Sequence, residues 1–215
     1  MSHAADGDVV LVDDGIYLEK NIVVARKIQV KAKNRFGAVV YGSRRTGDAI
    51  FVIQAAARIE GFVLRNSDTG IEQRGSPDVQ WEAADLAILE CMVGLSVNDA
   101  ENNVGSAVVR RVVVFGYPAS TGISTNDAGR IEVSGCLITD CGTAFQGYDH
   151  LSFEVEDALI IGCAQAFDEN TGHRPVPPAT SRIVRGEGVR VLDAVDLKDA
   201  RRRAERRRPS SGNRS

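Results

Sequence analysis

Two stretches of this chain repeat one unit, RIEVSGCLITDCGTAFQGYDH and then LSFEVEDALIIGCAQAF. The alignment pairs Val133 with Val155, Ile138 with Ile160, Cys141 with Cys163 and Phe145 with Phe167, always 22 residues apart. A repeat this short cannot bury its apolar face alone and has to stack on copies of itself. Short β-branched runs broken by tight turns make each copy one coil of a parallel β-solenoid.

The pattern extends backwards from Ile138 through Val113, Ile88 and Val63, each anchor lying within a run: GFVLRN, LAILEC, RVVVFG, CLITDC and ALIIGC. A second column follows three residues later with Asn66, Cys91, Gly116, Cys141 and Cys163. Beyond a turn of variable length comes a third, Ile71, Leu95, Ile123, Phe145 and Phe167. The turn absorbs an insertion at YPASTG, and insertions confined to turns are what stacked coils tolerate. An antiparallel sandwich of short strands is the competing fold. Asn-Gly hairpin dipeptides are absent and the columns agree in residue type as well as spacing, which favours the solenoid. Only 6 % of the residues are aromatic and 21 are Gly, as suits a narrow interior filled with small side chains.

These columns resemble the right-handed parallel β-helix of the pectin-lyase-like superfamily. The second column looks like that family's stacked Asn turn with Cys or Gly substituted, and GDVVLVDDGIYLEKNIVV is similar to its entry coils. The resemblance implies about seven coils over residues 7–172. Residues 1–6 then form a truncated or disordered start, 173–195 a Pro-rich exit with terminal strands, and 196–215 a short Arg-rich helix with a disordered basic tail. Only MSHAA stands where the family places a capping helix, so the first coil is expected to be uncapped and prone to self-association.

The net charge of −3 conceals an uneven split. Residues 201–215 hold seven Arg against one Glu, leaving the acidic excess on the body. An acidic body disfavours nucleic acid; the tail is the one segment suited to a polyanion. No apolar run reaches the length of a membrane-spanning helix, and MSHAADGDVV has no signal-peptide character. The chain therefore reads as cytoplasmic by default, or as secreted or surface-bound if its start has been trimmed. Four Cys without a CxxC pair suggest free thiols.

Period-2 alternation turns Glu132, Ser134, Glu154 and Glu156 outward beside inward Val133 and Val155, with Glu82 in the same column. Glu132 and Glu154 then become like-charged neighbours on adjacent coils, a cost that a cation, an Arg or a shared proton must offset. A second acidic column, Asp99, Asp127 and Asp149, follows the third strand, with His150 after it. The resemblance implies a substrate groove between these columns. Paired carboxylates there suit glycoside hydrolysis, and carboxylate oxygens suit calcium beside an acidic sugar.

The candidate catalytic residues are Asp149, His150, Glu154, Asp127 and Glu132. Arg130 and Trp81 are candidate substrate contacts, and Glu132, Glu154 and Glu156 a candidate calcium set. Solvated strand faces and Asx turns account for the same residues without catalysis. The family's esterase, polygalacturonase and epimerase signatures are missing from the sequence. The expectation is a β-helix that binds or processes acidic polysaccharide, the alternative a non-catalytic structural or adhesive scaffold.

Overall fold

In the computed structural model the described residues are 3–74, 79–98, 105–126, 129–148, 152–170, 182–185 and 187–192. All regular elements among them are strands. The first coil comprises β1 (Val9–Val12), β2 (Gly15–Leu18) and β3 (Ile22–Val24). The second comprises β4 (Gln29–Ala32), β5 (Ala38–Tyr41) and β6 (Ala49–Ile53), the third β7 (Arg58–Glu60), β8 (Val63–Arg65) and β9 (Thr69–Gln73). The fourth is β10 (Gln80–Ala84), β11 (Ala87–Leu89) and β12 (Val93–Asn98), the fifth β13 (Gly105–Arg110), β14 (Val113–Phe115) and β15 (Thr121–Asn126). The sixth is β16 (Gly129–Ser134), β17 (Leu137–Thr139) and β18 (Thr143–Tyr148), the seventh β19 (Ser152–Glu156), β20 (Leu159–Ile161) and β21 (Gln165–Asn170). Two further strands, β22 (Arg182–Arg185) and β23 (Arg190–Leu192), continue the stack.

Every third strand pairs in parallel with its equivalents, giving sheets of eight, eight and seven strands. The expected parallel solenoid is therefore the fold. The Arg-rich segment 196–215, expected to be a helix and tail, lies outside the described residues.

Single residues in left-handed backbone turn most coils from one sheet into the next. Between the first and second sheets these include Phe36, Gly61, Asp85, Arg111, Gly135 and Asp157, with φ between +47° and +85°. Between the second and third they include Asn66, Glu90, Asp140 and Gly162. Such a conformation costs non-Gly residues roughly 1–2 kcal/mol each. The stack offsets it, because the N–H groups of the non-Gly corners donate to the neighbouring coil: Asp85 to Arg110 O at 3.1 Å, Glu90 to Phe115 O at 2.9 Å.

The interior is a set of ladders. The third column is as expected, with Ile71, Leu95, Ile123, Phe145 and Phe167 in register. Phe145 and Phe167 stack with ring centres 5.2 Å apart. The anchor column needs a correction. Leu64, Ile88, Val114, Ile138 and Ile160 are in register and buried, whereas Val63 and Val113 stand one residue earlier and face outward. Successive coils differ in length, and a slip of one residue exchanges the two faces of a strand. Asn66 is displaced likewise. It occupies the left-handed corner with Glu90, Asp140 and Gly162, so the Cys residues follow the left-handed position and do not fill it.

Candidate functional site

The first sheet carries the polar outer face. Its strands place Arg58, Glu82, Val108, Glu132 and Glu154 in one outward column. Lys31, Glu60, Ala84, Arg110, Ser134 and Glu156 form a second, two residues along each strand. Apolar neighbours such as Ile131, Val133, Phe153 and Val155 anchor these strands in the core.

The upper part of this face is a closed ion network. Arg58 Nε meets Glu60 at 2.8 Å, its Nη1 meets Glu82 at 2.9 Å, and Lys31 Nζ meets Glu60 at 2.9 Å. Burial pushes the Glu60 carboxyl up, but hydrogen bonds from Lys31 and Arg58 outweigh it and leave the group below its ordinary value.

Lower down, Glu132 and Glu154 are adjacent, as the alternation requires. Arg130 supplies the offsetting charge, with Nη2 3.3 Å from Glu132 Oε1 and 2.8 Å from Glu154 Oε2. The hydrogen bond to Glu154 raises the guanidinium above its ordinary value. Arg130 thus sets a counter-charge between two of the three carboxylates of the candidate calcium set. Among the described residues no three His, Cys, Asp or Glu gather into a group able to hold a metal ion.

Beside this triad the face is hollowed into a concavity of about 370 Å³, lined by Val108, Arg110, Glu132, Ser134, Glu154 and Glu156. Among the described residues, neither Arg110 nor Glu156 is in an ion pair. The hollow therefore presents an uncommitted guanidinium, a hydroxyl and carboxylate acceptors around the methyl groups of Val108.

Trp81 is no part of it. Its ring is 1 % exposed and its Nε1–H donates to Gln73 Oε1 at 2.9 Å. The expected sugar contact is corrected: the ring fills the core and has no open face for a ligand. Asp99, Asp127, Asp149 and His150 lie outside the described residues. Arg110 and Ser134 enter the site through cross-coil register, a relationship that spacing along the chain only hints at.

Stacked parallel coils with left-handed corners make this chain a parallel β-helix. No family profile and no curated protein matches it. Among solved structures, a pectin methylesterase from Yersinia enterocolitica is similar at 13 % identity, over 88 % of this chain and 90 % of that one, with a TM-score of 0.36. A likeness that faint carries no functional argument. Among the described residues no helix is long and apolar enough to cross a membrane.

Proposed function

We propose that this protein binds acidic oligosaccharide along the outer face of its first sheet. The observation that carries the reading is the hollow around Arg110, where a guanidinium without an ion partner among the described residues sits beside hydroxyl and carboxylate groups. A guanidinium fork suits the carboxylate of a uronic acid. Ser134, Glu132 and Glu156 suit ring hydroxyls, and Val108 suits the apolar edge of a sugar. The outward columns repeat from coil to coil, so an extended chain lying along the stack meets similar groups at each step.

Titration with oligogalacturonate, followed by calorimetry, tests this. Arg110→Ala is expected to weaken binding by roughly tenfold or more, the usual worth of a hydrogen bond to a charged group. Binding is expected to persist in EDTA, because Arg130 already offsets the charge of Glu132 and Glu154. Absence of binding at millimolar ligand overturns the proposal. Cleavage of the ligand that Asp149→Ala or Asp127→Ala abolishes replaces it with a catalytic one.

A scaffold that associates with a second copy is the other reading, and one observation favours it. β1, β2 and β3 are the outermost strands of their sheets and carry exposed Val9, Leu11, Ile16, Leu18 and Val23. Ile16 and Leu18 are 71 % and 81 % exposed. Unpaired backbone edged with aliphatic side chains is a template for strand addition. Light scattering across a concentration series is expected to show dimers that Leu18→Lys abolishes. A monomer at every concentration removes this reading.

A further inference from the structure

The four thiols of this chain do not sit alike. Cys91 and Cys136 are sealed in the core, where burial pushes both up to about 11. Cys141 and Cys163 occupy the same corner of adjacent coils, where Ala164 N donates to Cys141 O at 3.2 Å. Successive coils lie about 4.8 Å apart, within the ~4.4–6.8 Å Cα spacing that a disulfide spans. Cys163 Sγ leans back toward the preceding coil, 3.9 Å from Ile138 O, and the two thiols are close enough to interact.

Space and access are both provided. A Cβ on Gly116, at this corner one coil earlier, would stand 2.6 Å from Cys141 Sγ, so glycine there makes room for the buried thiol. Cys163 is partly exposed. Both line a concavity of about 380 Å³ with Pro118, Asp140, Gly162 and Ala164.

We propose that Cys163 and Cys141 form a dithiol site that reacts with low-molecular-weight disulfides, Cys163 attacking and Cys141 resolving. Cys163 as thiolate attacks one sulfur of RSSR; the S–S bond breaks, and RS⁻ leaves and takes up the Cys163 proton. Cys141 then attacks the Cys163 sulfur, expels the second RS⁻ and gives it its own proton. The small disulfide is reduced to two thiols as two protein thiols become one disulfide.

The division of roles follows the environment. The contact with Cys141 lowers Cys163 below its ordinary value, while the same contact and burial raise Cys141. A thiolate is the attacking species, and the group that more readily forms one faces the opening. Once Cys163 carries –SR, the charge that held the Cys141 proton is gone.

Native protein incubated with oxidised glutathione, then alkylated, digested and analysed by mass spectrometry, tests the site. The expected product is a Cys141–Cys163 linked peptide, with Cys91 and Cys136 alkylated only after denaturation. Cys141→Ser is expected to stop at a glutathionyl adduct on Cys163, and Cys163→Ser to give neither adduct nor link. Equal modification of Cys91 or Cys136, a stable adduct on wild-type Cys163 without the link, or no reaction in folded protein overturns the proposal. Circular dichroism of both variants separates a lost reaction from a lost fold.

Discussion

Arg130 reaches one coil forward to Glu154, its Nη2 2.8 Å from Oε2, while also lying 3.3 Å from Glu132 on its own strand. One exposed guanidinium therefore holds together two carboxylates that parallel stacking forces side by side. Arg130→Ala is expected to lower the melting temperature slightly, more at low than at high salt, because solvent-exposed charges are screened. Adding Glu132→Gln should restore most of the loss. An Arg130→Ala effect independent of salt contradicts this account.

Trp81 supports the stack from inside. Trp81→Ala removes a ring that is 1 % exposed and should cost about 3–5 kcal/mol, as large-to-small changes in cores do. Trp81→Phe strands the Gln73 carbonyl oxygen and should cost about 1–3 kcal/mol. Urea denaturation measures both. Tryptophan emission of the wild type should be blue-shifted and unchanged by saturating oligosaccharide.

Acid should weaken the fold through Asp85. Arg111 donates to both its carboxylate oxygens, at 2.9 and 2.7 Å, and this outweighs burial to hold the group below its ordinary value. A depressed folded value contributes stability above the unfolded value of about 3.9, and that contribution disappears as pH falls through the folded one. Asp85→Asn keeps a side chain suited to the left-handed corner and loses the charge. Its melting temperature should therefore fall less than that of the wild type between about pH 5 and pH 2. Parallel curves would assign the acid response elsewhere.

Close backbone approach in the third sheet depends on glycine. A Cβ on Gly122 would stand 2.5 Å from Ala144 O and 2.8 Å from Ile138 Cγ2. Gly122→Ala should cost about 1–3 kcal/mol through overpacking. The urea midpoint should fall with an unchanged slope; an unchanged midpoint would show that the coils have slack there.

Much of this was legible in one dimension, and the misses share a cause. The third column was legible because large inward residues recur at matching positions of every coil. Outward Glu82 already implied an inward Trp81, since neighbouring strand residues face opposite ways; the rarity of Trp obscured that signal. The Val113 anchor slipped by one residue because Val-Val-Phe is apolar on both faces; for Val63, Arg65 on the same face already marked that face as outward.

By itself the sequence determined the architecture: repeating β-branched runs with small or polar corners have one way to bury their apolar sides, by stacking in parallel. It also determined that Glu132 and Glu154 would be neighbours in need of a counter-charge. Only the tertiary structure decided that Arg130 supplies it, that Arg110 is left over beside a hollow, and that Cys163 is partly exposed while Cys141 is buried. Those outcomes depend on cross-coil register and side-chain direction. Turns of unequal length set both, by shifting one coil against the next at positions more than 20 residues apart.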